Sequence, residues 1–328
     1  MPILILVHGY GAGGMLFYRI LKDLAQYFHI FVVDLLGMGS SGRPVYNCNT
    51  VEKAEDFFVN SIRQWKLKLF EELGIKKEQK YYLAGHSLGG YLSSVYALKY
   101  QEEIIKLILL SPVGIPEKPQ DFDYNNVAKR FDSVQKRIGA KVVLMLWDRS
   151  FTPFQVLRYG GSYGTHTFLK FYINKRMKCL QTVEEIQEVK NYLHQIFLRP
   201  ASGEYALNTI LSVGSWARRP LYCRLPQIKV PICFMYGSID WMDPTAAKLL
   251  IKDKQIDATY YTIENADHHL YMDNPSHTVF EIIFDIFGEM EALKYELMKL
   301  RERSQHLDAQ ILQYESQIQS NLKNNQIQ

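Results

Sequence analysis

No apolar run in the chain reaches the roughly 18 residues that a membrane-spanning helix needs, so no transmembrane helix is expected. Cysteine is scarce. Cys48, Cys179, Cys223 and Cys233 stand far apart with no Cys-x-x-Cys pair, so they read as reduced or incidental thiols and imply no metal site. No cofactor is expected either. Asn-x-Ser/Thr sequons are absent, which fits an intracellular setting. After Met1-Pro2 the apolar run Ile3–Val7 begins at once, so neither a signal nor a transit peptide is visible. Strong charge is also missing. The net charge of +4 is far too small a basis for nucleic-acid binding, although it favours anionic lipid surfaces. Apolar residues, at 47% of 328, are plentiful enough for a large core and exclude a disordered chain.

Strands and helices alternate at first. Ile3–Val7 and His29–Asp34 read as buried strands, with a helical period over Leu16–Tyr27 between them. A long amphipathic helix follows over Val51–Leu73, with Gly74 as its C-cap. Lys80–Ala84 is a strand, Gly90–Tyr100 a helix and Ile105–Leu110 a further strand. From about Val113 to Ile228 the rhythm stops, and aromatic, partly basic helices and loops read as an inserted cap. That stretch carries Lys170, Lys175, Arg176, Lys178, Arg218 and Arg219. Strands resume at Ile232–Tyr236 and Thr259–Ile263, with the helix Thr245–Ile251 between them. The alternation argues for an α/β fold with a mainly parallel, helix-covered sheet.

The segment Gly85-His86-Ser87-Leu88-Gly89 joins a strand to a helix, the setting of a nucleophile elbow. Its glycines have a steric reason, because so sharp a turn leaves no room for side chains two positions from the serine. A serine hydroxyl needs an imidazole to take its proton, and the imidazole needs an acid to orient it. Asp240 follows the strand Ile232–Tyr236, and His268 follows Thr259–Ile263. Serine, acid and histidine thus fall in the required order, each after its own strand. Asp243 is a rival acid and His269 a rival base; Asp267 is expected to cap its loop. His86 is read as structural, its side chain directed away from the serine, and His8 as ordering the loop after its strand. The oxyanion hole should use the amides of Leu88 and of Tyr10, with Gly11 as the alternative to Tyr10.

Several strings carry a family resemblance. They are Val7–Gly13, Asp34–Pro44, Gly85–Tyr91, Tyr96–Tyr100, Trp216–Pro220 and His268–Pro275. Over about residues 3–288 the chain resembles the α/β-hydrolase subfamily of abhydrolase-domain lipid enzymes. That subfamily includes lysophosphatidic acid acyltransferases, N-acyl-phospholipid lipases and cardiolipin deacylases. The resemblance implies serine-dependent acyl-ester chemistry on phospholipids or lysophospholipids, ending in hydrolysis or acyl transfer. Its His-x4-Asp motif falls on His268 and Asp273, where Asp273 is expected to brace the loop. Two other readings stand beside it: a small-ester or peptide hydrolase, and a non-catalytic scaffold. Peripheral contact with a membrane or lipid surface is expected, in the cytoplasm or on an organelle such as a mitochondrion or lipid droplet.

The expected layout is a core over 1–112 and 229–288, a cap over 113–228 and a coiled-coil-like helix over 289–328. Family members normally begin with a further strand pair. This chain starts at the third strand, so His29–Asp34 should lie at an open edge; either the sequence is truncated or another chain covers that edge, and the isolated protein should aggregate or need a partner. Ile283, Ile286, Met290, Leu293, Leu297, Leu300, Ser304, Leu307, Ile311, Tyr314 and Ile318 form a heptad seam. It predicts one long helix from near Ser276, leaving the globule after Gly288 and fraying near Leu322, able to self-associate or dock a partner over 289–322.

Overall fold

The computed structural model describes residues 1–120, scattered positions between 121 and 150, and 151–325. It divides into two compact units, Met1–Pro275 and Ser276–Gln328.

The first unit is built on a six-stranded parallel sheet. Its strands are β1 (Ile3–Val7), β2 (His29–Val33), β3 (Tyr81–His86), β4 (Ile104–Leu110), β7 (Ile232–Gly237) and β8 (Ala258–Ile263), in the order β2-β1-β3-β4-β7-β8. β1 is buried along its whole length, as an unbroken apolar strand covered on both faces should be. The helices α1 (Tyr18–Leu24), α2 (Val51–Glu72) and α3 (Leu88–Tyr100) connect the first strands. α2 starts on Thr50, whose side chain accepts from the Lys53 amide. It stops at Gly74 (φ +65°), where the amides of Ile75 and Gly74 return to the carbonyls of Phe70 and Glu71. That is a Schellman closure, which favours glycine at this position.

Connections leave β1 for β2 on one side, then cross back to β3 on the other. The sheet therefore has a switch point between β1 and β3, where a crevice opens at the carboxyl ends of the strands. Those ends carry His8, Ser87, Ser111, Asp240 and, one loop further on, His268. β2 is an edge strand, as expected, paired only with β1.

The stretch between β4 and β7, expected to be a cap, holds the helices Pro153–Tyr159, Gly161–Arg176, Val183–Leu198 and Ala206–Ile210. The stretch expected to be helices and loops also contains a short antiparallel ribbon, β5 (Leu211–Ser212) with β6 (Trp216–Ala217). Parts of the cap sequence, most of 121–150, lie outside the described residues. Three links tie the cap to the core. Arg19 donates to both Glu185 oxygens (2.7 and 2.8 Å), to the Cys179 carbonyl (2.9 Å) and to the Met272 carbonyl (2.9 Å). Arg199 donates to the Ser40 carbonyl at 2.8 Å. Buried Glu55 on α2 receives Arg219, Arg224 and the Tyr91 hydroxyl of α3, which gives the Trp216–Pro220 string its physical reason.

In the second unit the single helix expected from Ser276 is two, Pro275–Phe287 and Glu289–Asn325. Gly288 adopts φ +88° between them, a left-handed residue that ends the first helix. The second runs on to Asn325. Met290, Leu293, Leu297, Leu300 and Leu307 of the expected seam are exposed, whereas Ile283 is buried. The side chains of Ile311, Tyr314 and Ile318 lie outside the described residues.

Candidate active site

Ser87 sits between β3 and α3 with φ 52° and ψ −116°, a conformation that costs on the order of 1–3 kcal/mol and needs firm packing to persist. The packing is visible at the two motif glycines. A Cβ on Gly85 would lie 2.4 Å from the Gly89 carbonyl oxygen; one on Gly89 would lie 2.4 Å from that of Val7 and 2.5 Å from that of His8. The amide of Ser87 donates to the Leu110 carbonyl, and its own carbonyl accepts from Tyr91 and Val113. The backbone is held on three sides and the hydroxyl is left facing the crevice.

His268 reaches this hydroxyl. Its Nε2 is 3.0 Å from Ser87 Oγ, and its Nδ1 is 3.2 Å from Asp240 Oδ1. Burial pushes the Asp240 carboxyl up. The hydrogen bonds from His268 and the Met242 amide, with the Ser111 hydroxyl close by, outweigh that and hold it below its ordinary value. The Asp240 Oδ2 atom is buried without a well-formed hydrogen bond, so the Ser111 contribution is a loose one. Trp241 covers the His268 ring at 5.0 Å between centroids.

The structure does not bring Asp243 to this cluster. Its carboxylate accepts from the Thr245 amide at 2.9 Å and starts the next helix, so the alternative acid is a local turn former. His269 lines the same cavity, but it makes no described bond to Ser87, and burial lowers its pKa to about 3. Asp273 Oδ2 accepts from the Asp267 amide at 3.0 Å and closes the loop that carries His268, the bracing expected of it. Asp267 in turn accepts from the His268 amide at 2.7 Å.

The His86 ring packs against His268, 4.8 Å between centroids, and the residue contributes to the cavity wall. Its Nε2 is 2.9 Å from the His268 carbonyl oxygen, so it must be the protonated nitrogen and donate. Burial holds this ring neutral, with its pKa well below the usual value. His8 orders its loop as expected: Nδ1 donates to the Gly9 carbonyl at 2.8 Å, and Nε2 accepts from the Leu35 amide at 3.0 Å.

Gly9 passes so close that a Cβ there would be 3.0 Å from Ser87 Cβ. The turn therefore brings the Tyr10 main chain beside the serine, and Tyr10 and Leu88 both line the cavity. Gly11 instead turns against Phe154 of the cap, and Tyr10 stacks on that same ring at 4.9 Å. The cavity is about 240 Å³ and mostly apolar, with Val113, Leu207, Leu211 and Met242 in its wall and Arg176 and Tyr172 contributed by the cap. Among the described residues no cluster could hold a metal, and no helix is long and apolar enough to cross a membrane.

The sequence reading missed Ser111 and Trp241. Both had a signal: Ser111 follows a strand end directly, as Ser87 does, and Trp241 adjoins Asp240. Arg176 was visible only as one basic residue among several.

Residues 2–275 match the family model described as alpha/beta hydrolase fold. A "Probable 1-acylglycerol-3-phosphate O-acyltransferase" of Oryza sativa subsp. japonica is 31% identical over 84% of this chain and 64% of its own length. A "(Lyso)-N-acylphosphatidylethanolamine lipase" of Mus musculus is 33% identical, over 83% and 75%. The chain thus spans less than two thirds of the rice relative. Among solved structures, a bacterial membrane phospholipase A superposes with a TM-score of 0.57 at 18% identity, covering 87% of this chain and 78% of its own. The naproxen esterase of Bacillus subtilis gives 0.55 at 20%, covering 86% and 82%. At these identities the likeness is one of fold.

Proposed function

The chain belongs to the alpha/beta hydrolase fold family, within the abhydrolase-domain subfamily of lysophosphatidic acid acyltransferases and phospholipid lipases, and from that premise we propose that it is a serine-dependent acyl-ester hydrolase or acyltransferase acting on glycerophospholipids or lysophospholipids. The observation that carries the proposal is His268, which bridges Ser87 at 3.0 Å and Asp240 at 3.2 Å. Ser87 Oγ attacks the ester carbonyl while His268 Nε2 takes its proton. Asp240 holds the Nδ1–H and balances the imidazolium that forms. The amides of Leu88 and Tyr10 receive the charge that develops on the carbonyl oxygen. Collapse expels the lipid alcohol, which takes the proton from His268, and leaves an acyl group on Ser87. Water then releases a fatty acid, or the hydroxyl of a lysophospholipid accepts the acyl group. Asp273 acts through the loop that presents His268 and does not touch the ester.

Labelling by a fluorophosphonate probe tests the proposal. Wild-type protein should react at Ser87 and Ser87→Ala should not; equal labelling, or none of the wild type, sinks it. Defined phospholipids with and without a lysophospholipid acceptor then separate hydrolysis from transfer.

A further inference from the structure

We propose that Arg176 holds the phosphate of the substrate's head group inside the Ser87 cavity, exchanging its partner Asp267 for phosphate oxygens. The inference rests on the acyl-ester reading above and adds a recognition site to it. Arg176 closes the cap helix Gly161–Arg176 and is the one cationic side chain among the described residues lining the cavity that also holds Ser87 and His268. Tyr172, one turn earlier on the same helix face, lines it too.

Three other arginines are each committed to one carboxylate. Arg19 meets both oxygens of Glu185, Arg158 both of Glu204, and Arg224 both of Glu55. Arg176 differs. The hydrogen bond described for it is a single one of 3.5 Å to Asp267 Oδ2, with both side chains about a third or more exposed. A long, single, wet contact of this kind is weak and exchangeable. The planar guanidinium still has donors for a bidentate pair, the geometry that suits phosphate best.

The cavity lining supplies each kind of group the substrate calls for: the cationic Arg176, the hydroxyl of Ser87, and the apolar Leu207, Leu211 and Met242, which suit an acyl chain. In an ester the acyl carboxyl carries no charge, so the negative group left for Arg176 is the phosphate. Asp267 keeps its other oxygen on the His268 amide, so the exchange leaves the His268 loop in place.

The test compares a short-chain lysophosphatidic acid with the monoacylglycerol of the same chain, which lacks the phosphate. The readout is the ratio of KM values in wild type, Arg176→Gln, Arg176→Lys and Asp267→Asn. Arg176→Gln should cut the preference for the phosphate-bearing lipid by at least about tenfold, as expected for a lost charge-assisted contact, and Arg176→Lys should restore part of it. Asp267→Asn keeps an acceptor for the His268 amide and removes the competing charge, so it should raise the preference. Calorimetric binding of the same two lipids to Ser87→Ala, with and without Arg176→Gln, reads the contact without turnover. Equal effects on both lipids in kinetics and in binding overturn the proposal. Inorganic phosphate that binds as tightly as the lipid would assign an ion site and overturn the head-group assignment. Failure of Ser87 to label with the fluorophosphonate strikes the acyl-ester reading, whereas intact labelling with an unchanged ratio strikes Arg176 alone.

Discussion

Arg224 grips both oxygens of Glu55, at 2.7 and 3.1 Å, in a site where the Glu55 side chain is 3% exposed. Arg219 and the Tyr91 hydroxyl complete the cluster. Glu55→Ala would leave the Arg224 guanidinium without its counter-charge, while Arg219 keeps Glu52 at 3.3 Å. Breaking a buried pair from one side costs about 3–5 kcal/mol, and urea unfolding should show that loss. A change under about 1 kcal/mol would mean the cluster behaves as a surface pair.

The two elbow glycines allow a steric test. Gly89→Ala drives a methyl into the carbonyls of Val7 and His8, and neither is a flexible side-chain end. Overpacking of this kind typically costs about 1–3 kcal/mol. Because the strain falls on the turn that carries Tyr10, reaction with the fluorophosphonate should slow more than global stability falls. Labelling at the wild-type rate would count against that placement.

Asp240 and Asp243 are three residues apart and should behave differently. Asp240→Asn should lower kcat by about 10⁴ with little change in fold, since an amide selects the wrong imidazole tautomer. Asp243→Asn should stay near wild type, because an amide oxygen can still accept from Thr245. Equal losses in the two variants would reject Asp240 as the acid.

Buried His8 and His86 have their pKa lowered by burial. In the unfolded chain both take up protons near pH 6.5, while in the folded chain they do so only at lower pH. Stability is therefore complete above that value and falls as the solution is acidified, by up to about 1.4 kcal/mol per pH unit for each ring. His269 adds to the loss down to its own pKa of about 3. Unfolding followed from pH 8 to pH 5 should show the decline; a flat profile would contradict it.

The exposed leucines of the last helix predict self-association. Sedimentation of the full chain should give an oligomer that Leu293→Lys with Leu300→Lys dissolves. A monodisperse, stable monomer would refute both this and the expectation that edge strand β2 drives aggregation.

Most of the core was legible because its strands are unbroken apolar runs and its turns are marked by glycine. The Ser–Asp–His order was legible because each member follows a strand. The ribbon Leu211–Ala217 was not, since two-residue strands carry no periodicity. Gly288 was seen but passed over; apolar residues continue at helical spacing on both sides, and that spacing cannot reveal a positive φ. Nor can composition tell which cap arginines are spent in forks and which, like Arg176, stay exchangeable. The sign of a residue is written in the sequence, but its partner is set by the fold.

His86 is bonded covalently to Ser87 and hydrogen-bonded to the His268 carbonyl. The proposed nucleophile and base therefore share one reference point. If β3 shifts as a body, the imidazole of His86 carries the His268 backbone with it, and the 3.0 Å gap between Oγ and Nε2 stays nearly constant. Substitutions at position 86 should then widen the spread of that gap before they change its mean, a loss of precision that shows as a slower reaction with an unaltered pH profile.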